Sequence, residues 1–309
     1  MPQQSQRDWT TCATRSCAAA QPSIVGKQPT TVNHRRIRSH ATPARRLASV
    51  AWLVLAVLAL AACAAPAQPR RAELVVFAAA SLTDAFTEIG AAFTAESGVA
   101  VTFNFAGSQT LAGQLASGAP ADVFASANDR QMQAAVDAVR IDPATVRTFA
   151  ANRLVVVTPR DNPAAIAAPA DLAAPGLKLV LADGAVPVGQ YSLQFLANAS
   201  ADSAYTATYS PTVLANVVSY EENVRAVLAK VSLGEADAGI VYSSDVTDAQ
   251  REQVQLIEIP TALNVIATYP IAPVADSEQS ALAQAFVDLV LSPAGQAILE
   301  RYGFQRVQP

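Results

Sequence analysis

From residue 73 onward, short apolar runs alternate with segments whose apolar residues recur at helical spacing. The first run, Leu74–Ala79, predicts a buried strand, and Leu82–Phe93 predicts a helix with Phe86, Ile89 and Phe93 on one face. The pattern continues with predicted strands at Val101–Phe105, Asp122–Ala125, Leu154–Val157, Leu177–Ala182, Ala238–Tyr242 and Ala267–Val274, and predicted helices at Gln109–Ser117, Asp129–Val139, Val188–Ala197, Asn223–Val231, Ser277–Leu291 and Pro293–Tyr302. Strands alternating with helices of this length indicate right-handed βαβ units. Because the units form two series, we predict an α/β protein of two lobes with parallel-dominated sheets.

The first 62 residues follow a different pattern. An arginine-rich stretch precedes Leu47–Ala62, an uncharged apolar run of 16 residues. This layout is typical of a secretory signal peptide, and the run is shorter than the roughly 20 residues of a membrane-spanning helix. The sequence LAAC at Leu60–Cys63 matches the bacterial lipobox, where cleavage precedes a cysteine that receives a diacylglyceryl thioether. We therefore expect residues 1–62 to be a preamble and lipoprotein signal peptide, residues 63–72 to be a tether, and Cys63 to be the lipid anchor. An ordinary signal peptide with an incidental cysteine is the alternative.

Composition narrows the chemistry of the body. The 309-residue chain is 51% hydrophobic and 15% charged, which excludes a wholly disordered protein. Its formal net charge is −4, but residues 63–309 carry 13 basic and 24 acidic side chains, no His, no Trp and one Cys. This excludes Ser-His-Asp and Cys-His catalysis, a Cys/His zinc site and an intramolecular disulfide in that body. Without histidine, we also expect no group of the site to titrate near neutral pH.

Four turns into helices are candidate ligand sites, because ligands of open α/β sheets bind beyond the carboxyl ends of the strands. Ser81 and Ser108 follow the first two strands, whereas Val186–Gly189 and Glu221–Val224 open later helices. Each helix N-terminus offers unpaired N–H groups and the positive end of a dipole. If the four ends meet in one cleft, they form an anion site without a charged side chain. Taken singly, Ser81 and Ser108 are better explained as N-caps, and spacing does not show whether the ends converge.

Eight segments of the body occur together in one order. They are VFAAASLTDAF (76–86), FAGSQTLAGQL (105–115), GAPADVFASAN (118–128), NRLVVVTPR (152–160), VPVGQY (186–191), EENVRAVL (221–228), GIVYSSD (239–245) and AILERYGF (297–304). In these segments, and over nearly all of residues 73–307, the chain resembles the molybdate-binding proteins, the substrate-binding components of molybdate ABC transporters. The resemblance implies a type II periplasmic-binding-protein fold, with a two-strand hinge between the lobes. Residues 73–154 and 268–309 would form lobe 1, and residues 155–267 would form lobe 2.

The same resemblance implies which groups bind the ligand. A tetrahedral oxyanion is held by the hydroxyls of Ser81, Ser108 and Tyr242 and by the backbone N–H groups of Val188 and Val224. The metal is bound as its oxyanion, so no side chain is a direct metal ligand, and neither a cofactor nor a catalytic residue is implied. The chain departs from the family pattern at Gly107 and Gln109, which stand where serines are common.

The lipobox predicts a lipid-anchored protein outside the cytoplasmic membrane. The resemblance adds that this protein is a monomeric receptor that captures molybdate and tungstate, delivers them to an ABC permease and binds no nucleic acid. A receptor of the same fold for sulfate or phosphate is the nearest alternative. An enzyme would use Ser81 as nucleophile with Lys230 or Tyr242 as base, and a passive adhesion or scaffold lipoprotein is a third class. We expect Arg225 to form a surface ion pair with Glu221 or Glu222.

Overall fold

The computed structural model describes residues 73–307, so the predicted signal peptide, the tether and Cys63 lie outside the described residues. The strands are β1 (Glu73–Ala79), β2 (Ala100–Ala106), β3 (Val123–Ala125), β4 (Arg147–Pro159), β5 (Leu179–Ala182), β6 (Val217–Glu221), β7 (Ala238–Tyr242), β8 (Val254–Glu258) and β9 (Ile266–Pro273). The α-helices are α1 (Thr83–Ser97), α2 (Ser108–Ala116), α3 (Asp129–Asp137), α4 (Pro187–Ala201), α5 (Tyr209–Ala215), α6 (Val224–Ser232), α7 (Asp248–Arg251), α8 (Ser280–Leu291) and α9 (Pro293–Arg301).

The strands form one sheet in the order β2-β1-β3-β9-β4-β7-β5-β6, with β8 also paired to β4. β1 runs parallel to β2 and β3, and β5 runs parallel to β6 and β7. The long strand β4 pairs antiparallel with β9 through its first half and with β7 and β8 through its second half. The first lobe therefore contains β1–β3, α1–α3, α8 and α9, and the second contains β5–β7 and α4–α6. The predicted α/β architecture of two lobes joined by two strands is confirmed. Parallel pairing occurs only between strands of the same lobe.

Aromatic packing attaches the closing helices to the first lobe. Phe86 and Phe93, which the helical spacing placed on one face of α1, are buried and lie with ring centroids 5.9 Å and 5.5 Å from that of Phe286 on α8. Edge-to-face aromatic pairs of this kind stabilise a core beyond the area that they bury. Among residues 73–307 no single helix has the length and hydropathy of a membrane span. Helices α8 and α9 have that length and hydropathy only when taken together, and they are bent by 60° where they join.

The structure differs from the sequence prediction mainly where polar residues interrupt an apolar run. β4 begins at Arg147, not Leu154, because the buried Asn152 is satisfied inside the strand. Its Nδ2 donates to Ser244 Oγ at 2.7 Å, and its Oδ1 accepts from Ser243 Oγ at 3.0 Å. The elements α5, β6, α7 and β8 were not predicted, since each is four to seven residues long and only partly buried.

Candidate functional site

The four helix starts singled out in the sequence meet in one small pocket between the lobes. All five predicted contact residues line it. The lining residues are Ala79, Ala80, Ser81, Gly107, Ser108, Ala127, Val186, Pro187, Val188, Asn223, Val224 and Tyr242. The structure thus brings Ser81, Ser108, Val188, Val224 and Tyr242 together, which spacing alone did not establish. Their role as ligand contacts remains a prediction.

Three of these helix starts have N–H groups without side-chain caps. The N-cap residues Leu82 of α1, Gly107 of α2 and Val186 of α4 make no side-chain capping bond. Since Pro187 has no N–H, the first backbone donor of α4 belongs to Val188. In α6, Asn223 caps the helix by accepting from the N–H of Ala226, and this bond does not use the N–H of Val224. Uncapped N–H groups and the positive ends of helix dipoles favour an anion in the pocket.

Two hydroxyls that line the pocket are placed to donate. Ser108 Oγ accepts a hydrogen bond from the N–H of Ala127 at 3.0 Å, so its own proton is available for a ligand. Tyr242 is 1% exposed, and its hydroxyl has no hydrogen-bond partner among residues 73–307. Burial raises the pKa of Tyr242 well above its ordinary value of 10.0, so the phenol keeps its proton. A buried polar group without a partner is costly, and a ligand oxygen beside it would satisfy it.

A second tyrosine, which the sequence analysis did not select, supports the third hydroxyl. Tyr269 on β9 is fully buried, and its hydroxyl lies 3.0 Å from Ser81 Oγ. The Tyr269 ring also packs edge-to-face against that of Tyr242, with centroids 5.8 Å apart. When Tyr269 donates to Ser81, the Ser81 proton is directed to the pocket. No sequence motif marks Tyr269, because it lies within a plain apolar strand.

The lobes contact each other around the pocket. Gln109 Nε2 donates to the backbone oxygen of Glu222 at 2.8 Å, and Asn128 Nδ2 donates to Gln190 Oε1 at 3.1 Å. Gln109 is therefore a bridge between lobes at a position where the family commonly has serine. Gly107 makes this approach possible, since a Cβ there would lie 2.5 Å from the same Glu222 oxygen.

The prediction for Arg225 is wrong. Arg225 pairs with neither Glu221 nor Glu222, because Glu221 is bound instead by Lys230 Nζ at 2.6 Å. Arg225 Nη2 reaches Asp84 Oδ2 in the first lobe at 2.6 Å. Its Nε lies 3.3 Å from Asp245 Oδ1, an ion pair whose atoms are not aligned for a hydrogen bond. Lys230 also donates to Ser219 and does not line the pocket, so it is not placed as a base for Ser81.

Asp245 is a titratable group that the sequence analysis did not select, because that analysis considered only histidine. It is 0% exposed, and burial raises its pKa to about 6 against the opposing effects of Arg225 and the N–H of Tyr242. Asp245 does not line the pocket, but it lies against Arg225 beside it, so a carboxyl group with a pKa of about 6 adjoins the predicted site.

This raised pKa predicts how stability depends on pH. Folded Asp245 holds its proton more tightly than the unfolded chain, whose pKa is near 3.8, so the free energy of unfolding should fall as pH rises from about 4 to about 6. We expect Asp245→Asn to lose less stability over this window than the wild type, in urea unfolding at several pH values. Ion pairs lower the pKa values of Glu88 and Glu221, and these two groups contribute the same pH dependence of stability to both proteins. Parallel pH profiles for the two proteins would contradict the assignment.

Comparison with known proteins identifies the family of this chain. Residues 74–305 match the family model described as bacterial extracellular solute-binding protein. The chain is 41% identical over 244 residues to the molybdate-binding protein ModA of Mycobacterium tuberculosis H37Rv, which covers 79% of this chain and 88% of that protein. The periplasmic molybdate-binding protein of Azotobacter vinelandii shares the fold with a TM-score of 0.64 at 19% identity, over 76% of this chain and 99% of that one. The sulfate-binding protein SubI of M. tuberculosis shares it with a TM-score of 0.70 at 20% identity, over 77% and 88%. The periplasmic-binding-protein fold is thereby confirmed, and the chain belongs to the family of bacterial extracellular solute-binding proteins that includes the molybdate-binding proteins.

Proposed function

We propose that this protein is a receptor outside the cytoplasmic membrane that binds molybdate or tungstate between its lobes and delivers it to an ABC permease. The observation that carries the proposal is the pocket itself, which is lined by all five donors named from the family resemblance. One of them is the Tyr242 hydroxyl, which has no hydrogen-bond partner among residues 73–307. The name of the M. tuberculosis relative supports molybdate as the ligand.

The chemistry of the pocket suits a fully ionised oxyanion. The three hydroxyls and the N–H groups of Val188 and Val224 can all donate. Among the described residues that line the pocket, the only side-chain amide is Asn223, and its oxygen already caps α6. Molybdate, tungstate and sulfate present only acceptors near neutral pH, so each of their oxygens matches a donor. Hinge closure of residues 155–267 over residues 73–154 and 268–309 desolvates the ion and completes its hydrogen bonds. No step of this function is catalytic.

A titration panel tests the ligand. We expect calorimetry to show tight binding of molybdate and tungstate at similar affinity, because the two anions are nearly equal in size. Sulfate is smaller and leaves some buried donors without a hydrogen-bond partner, so it should bind far more weakly. Phosphate carries a proton much of the time and would need a buried acceptor such as a carboxylate. None of the described residues that line the pocket has one, so phosphate should not bind. Binding of phosphate as tight as that of molybdate would refute the donor-only site.

Sulfate is the second candidate ligand, because SubI shares this fold and sulfate suits a donor-only shell. The same panel separates the two proposals. Sulfate binding tighter than molybdate binding would identify the protein as a sulfate receptor and leave the geometry of the site unchanged.

Anchoring through Cys63 is a separate part of the proposal and rests on the LAAC sequence at Leu60–Cys63. Two acyl chains hold a protein firmly at a membrane, whereas one gives marginal binding. We expect the full chain expressed in bacteria to partition into detergent, and Cys63→Ser to remain in the aqueous phase. Equal partitioning of both proteins would show that Cys63 carries no diacylglyceryl group.

A further inference from the structure

One ion pair crosses between the lobes beside the pocket. Asp84 lies in the first turn of α1, three residues after Ser81, and Arg225 lies in the first turn of α6, directly after Val224. Arg225 Nη2 donates to Asp84 Oδ2 at 2.6 Å. Because each charged residue sits on the same helix start as a proposed anion donor, this bond fixes the separation of the Ser81 turn and the Val224 turn.

The guanidinium is held from the second lobe as well. Asp245, in the turn after β7, lies 3.3 Å from Arg225 Nε and accepts the N–H of Tyr242 through its other oxygen at 3.1 Å. Arg225 is only 24% exposed. Asp245 and Arg225 lie on the same lobe. Of the two ion pairs that Arg225 makes with carboxylates, opening of the cleft therefore breaks only the one with Asp84. Asp84 is exposed enough to be hydrated when it separates.

The charges also bear on the anion directly. Asp84 and Asp245 place two carboxylates near a pocket proposed to hold a dianion, and Arg225 lies between them. Its positive charge offsets a repulsion that would otherwise weaken anion binding.

We propose that Arg225 is a positioning residue of the anion site, which pairs with Asp84 across the cleft, holds the lobes closed and so slows release of the bound oxyanion. The proposal rests on the proposed function. Breaking one bond of a partly buried charge pair acts mainly on dissociation, whereas association depends on the open form.

The test removes the cross-lobe bond from the exposed side. Asp84→Asn leaves the Arg225–Asp245 pair intact, which protects the fold. The substitution also removes a carboxylate that repels the anion, so faster release can come only from loss of the cross-lobe bond. We expect molybdate release to speed up about tenfold, while the association rate stays the same or rises slightly. Release is followed by rapid mixing with tyrosine fluorescence, since residues 63–309 contain no Trp. Asp84→Glu, which restores the charge, should restore slow release.

Glu88→Gln is the matched control. Glu88 lies one turn further along α1, has the same 38% side-chain exposure as Asp84, and pairs with Arg301 on α9 of the same lobe. It should release molybdate at the wild-type rate. Equal acceleration by Glu88→Gln, or wild-type release from Asp84→Asn even where its stability falls, would overturn the proposal. Failure of the wild type to bind molybdate would instead refute the proposed function.

Discussion

Tyr242→Phe should weaken molybdate binding by roughly 10- to 150-fold, because a hydrogen bond to a charged group contributes about 1.5–3 kcal/mol. The substitution removes a hydroxyl that has no partner in the described part of the chain. The free energy of unfolding of the ligand-free protein should therefore stay the same or rise while the affinity falls. Calorimetric titration and urea unfolding measure the two effects separately.

Ser81→Ala and Ser108→Ala should weaken binding over the same range. Both should also lower stability, because Ser81→Ala removes the partner of the buried Tyr269 hydroxyl and Ser108→Ala removes the acceptor for the N–H of Ala127. Thr83→Ala is the control. Thr83 is close to Ser81 in sequence, but its hydroxyl donates to the backbone oxygen of Ala80 at 2.7 Å and is not one of the predicted ligand contacts. If Thr83→Ala weakened binding as much as Ser81→Ala, Ser81 would act only through the structure of its turn.

Gly107→Ala should weaken binding by a similar factor through a different cause. A Cβ at Gly107 would lie 2.5 Å from the backbone oxygen of Glu222, which cannot rotate away as a side chain does. Overpacking of this kind costs about 1–3 kcal/mol, or roughly 5- to 150-fold in affinity. The Cβ would also lie 2.5 Å from Nε2 and Oε1 of Gln109 in the same lobe, but these atoms end a flexible side chain that can rotate away once the lobes separate. The open protein should therefore keep its stability.

Gly113→Ala provides the comparison on the same helix. A Cβ there would meet nothing within 4 Å, so the change should raise helix stability slightly and leave binding unchanged. The backbone of Gly107 has a φ of −59°, which any residue adopts, so conformational strain does not confuse the result. Equal affinities for the two variants would show that the lobes do not approach at Gly107 when the anion binds.

Local patterns predicted much of this fold because local interactions determine it. The apolar run of β1 and the spacing of Phe86 and Phe93 specify a strand and a helix without reference to distant residues. The four helix starts were found in the same way. Their meeting depends on strand order, which places β1 beside β2 in one lobe and β5 beside β7 in the other. Only the family resemblance carried that information before the structure did.

The features that escaped prediction depend on distant partners. Nearby Glu221 and Glu222 were plausible partners for Arg225, yet its bond goes to Asp84, which lies 141 positions away in sequence. Asn152 interrupts an apolar strand and is tolerated because Ser244 satisfies it from 92 positions away. Tyr269 reaches Ser81 across 188 positions. Hydropathy and spacing contain no trace of such pairings.

The hydroxyl of Tyr242, which has no partner among the described residues, favours the open form of the empty protein. Closing without an anion buries this donor with nothing to accept its proton, at a cost of about 1–3 kcal/mol, which reduces the closed empty population by roughly 5- to 150-fold. An anion in the pocket removes that cost. A permease that recognises the closed shape would therefore meet mainly loaded receptors, and empty ones would compete poorly for its docking surface.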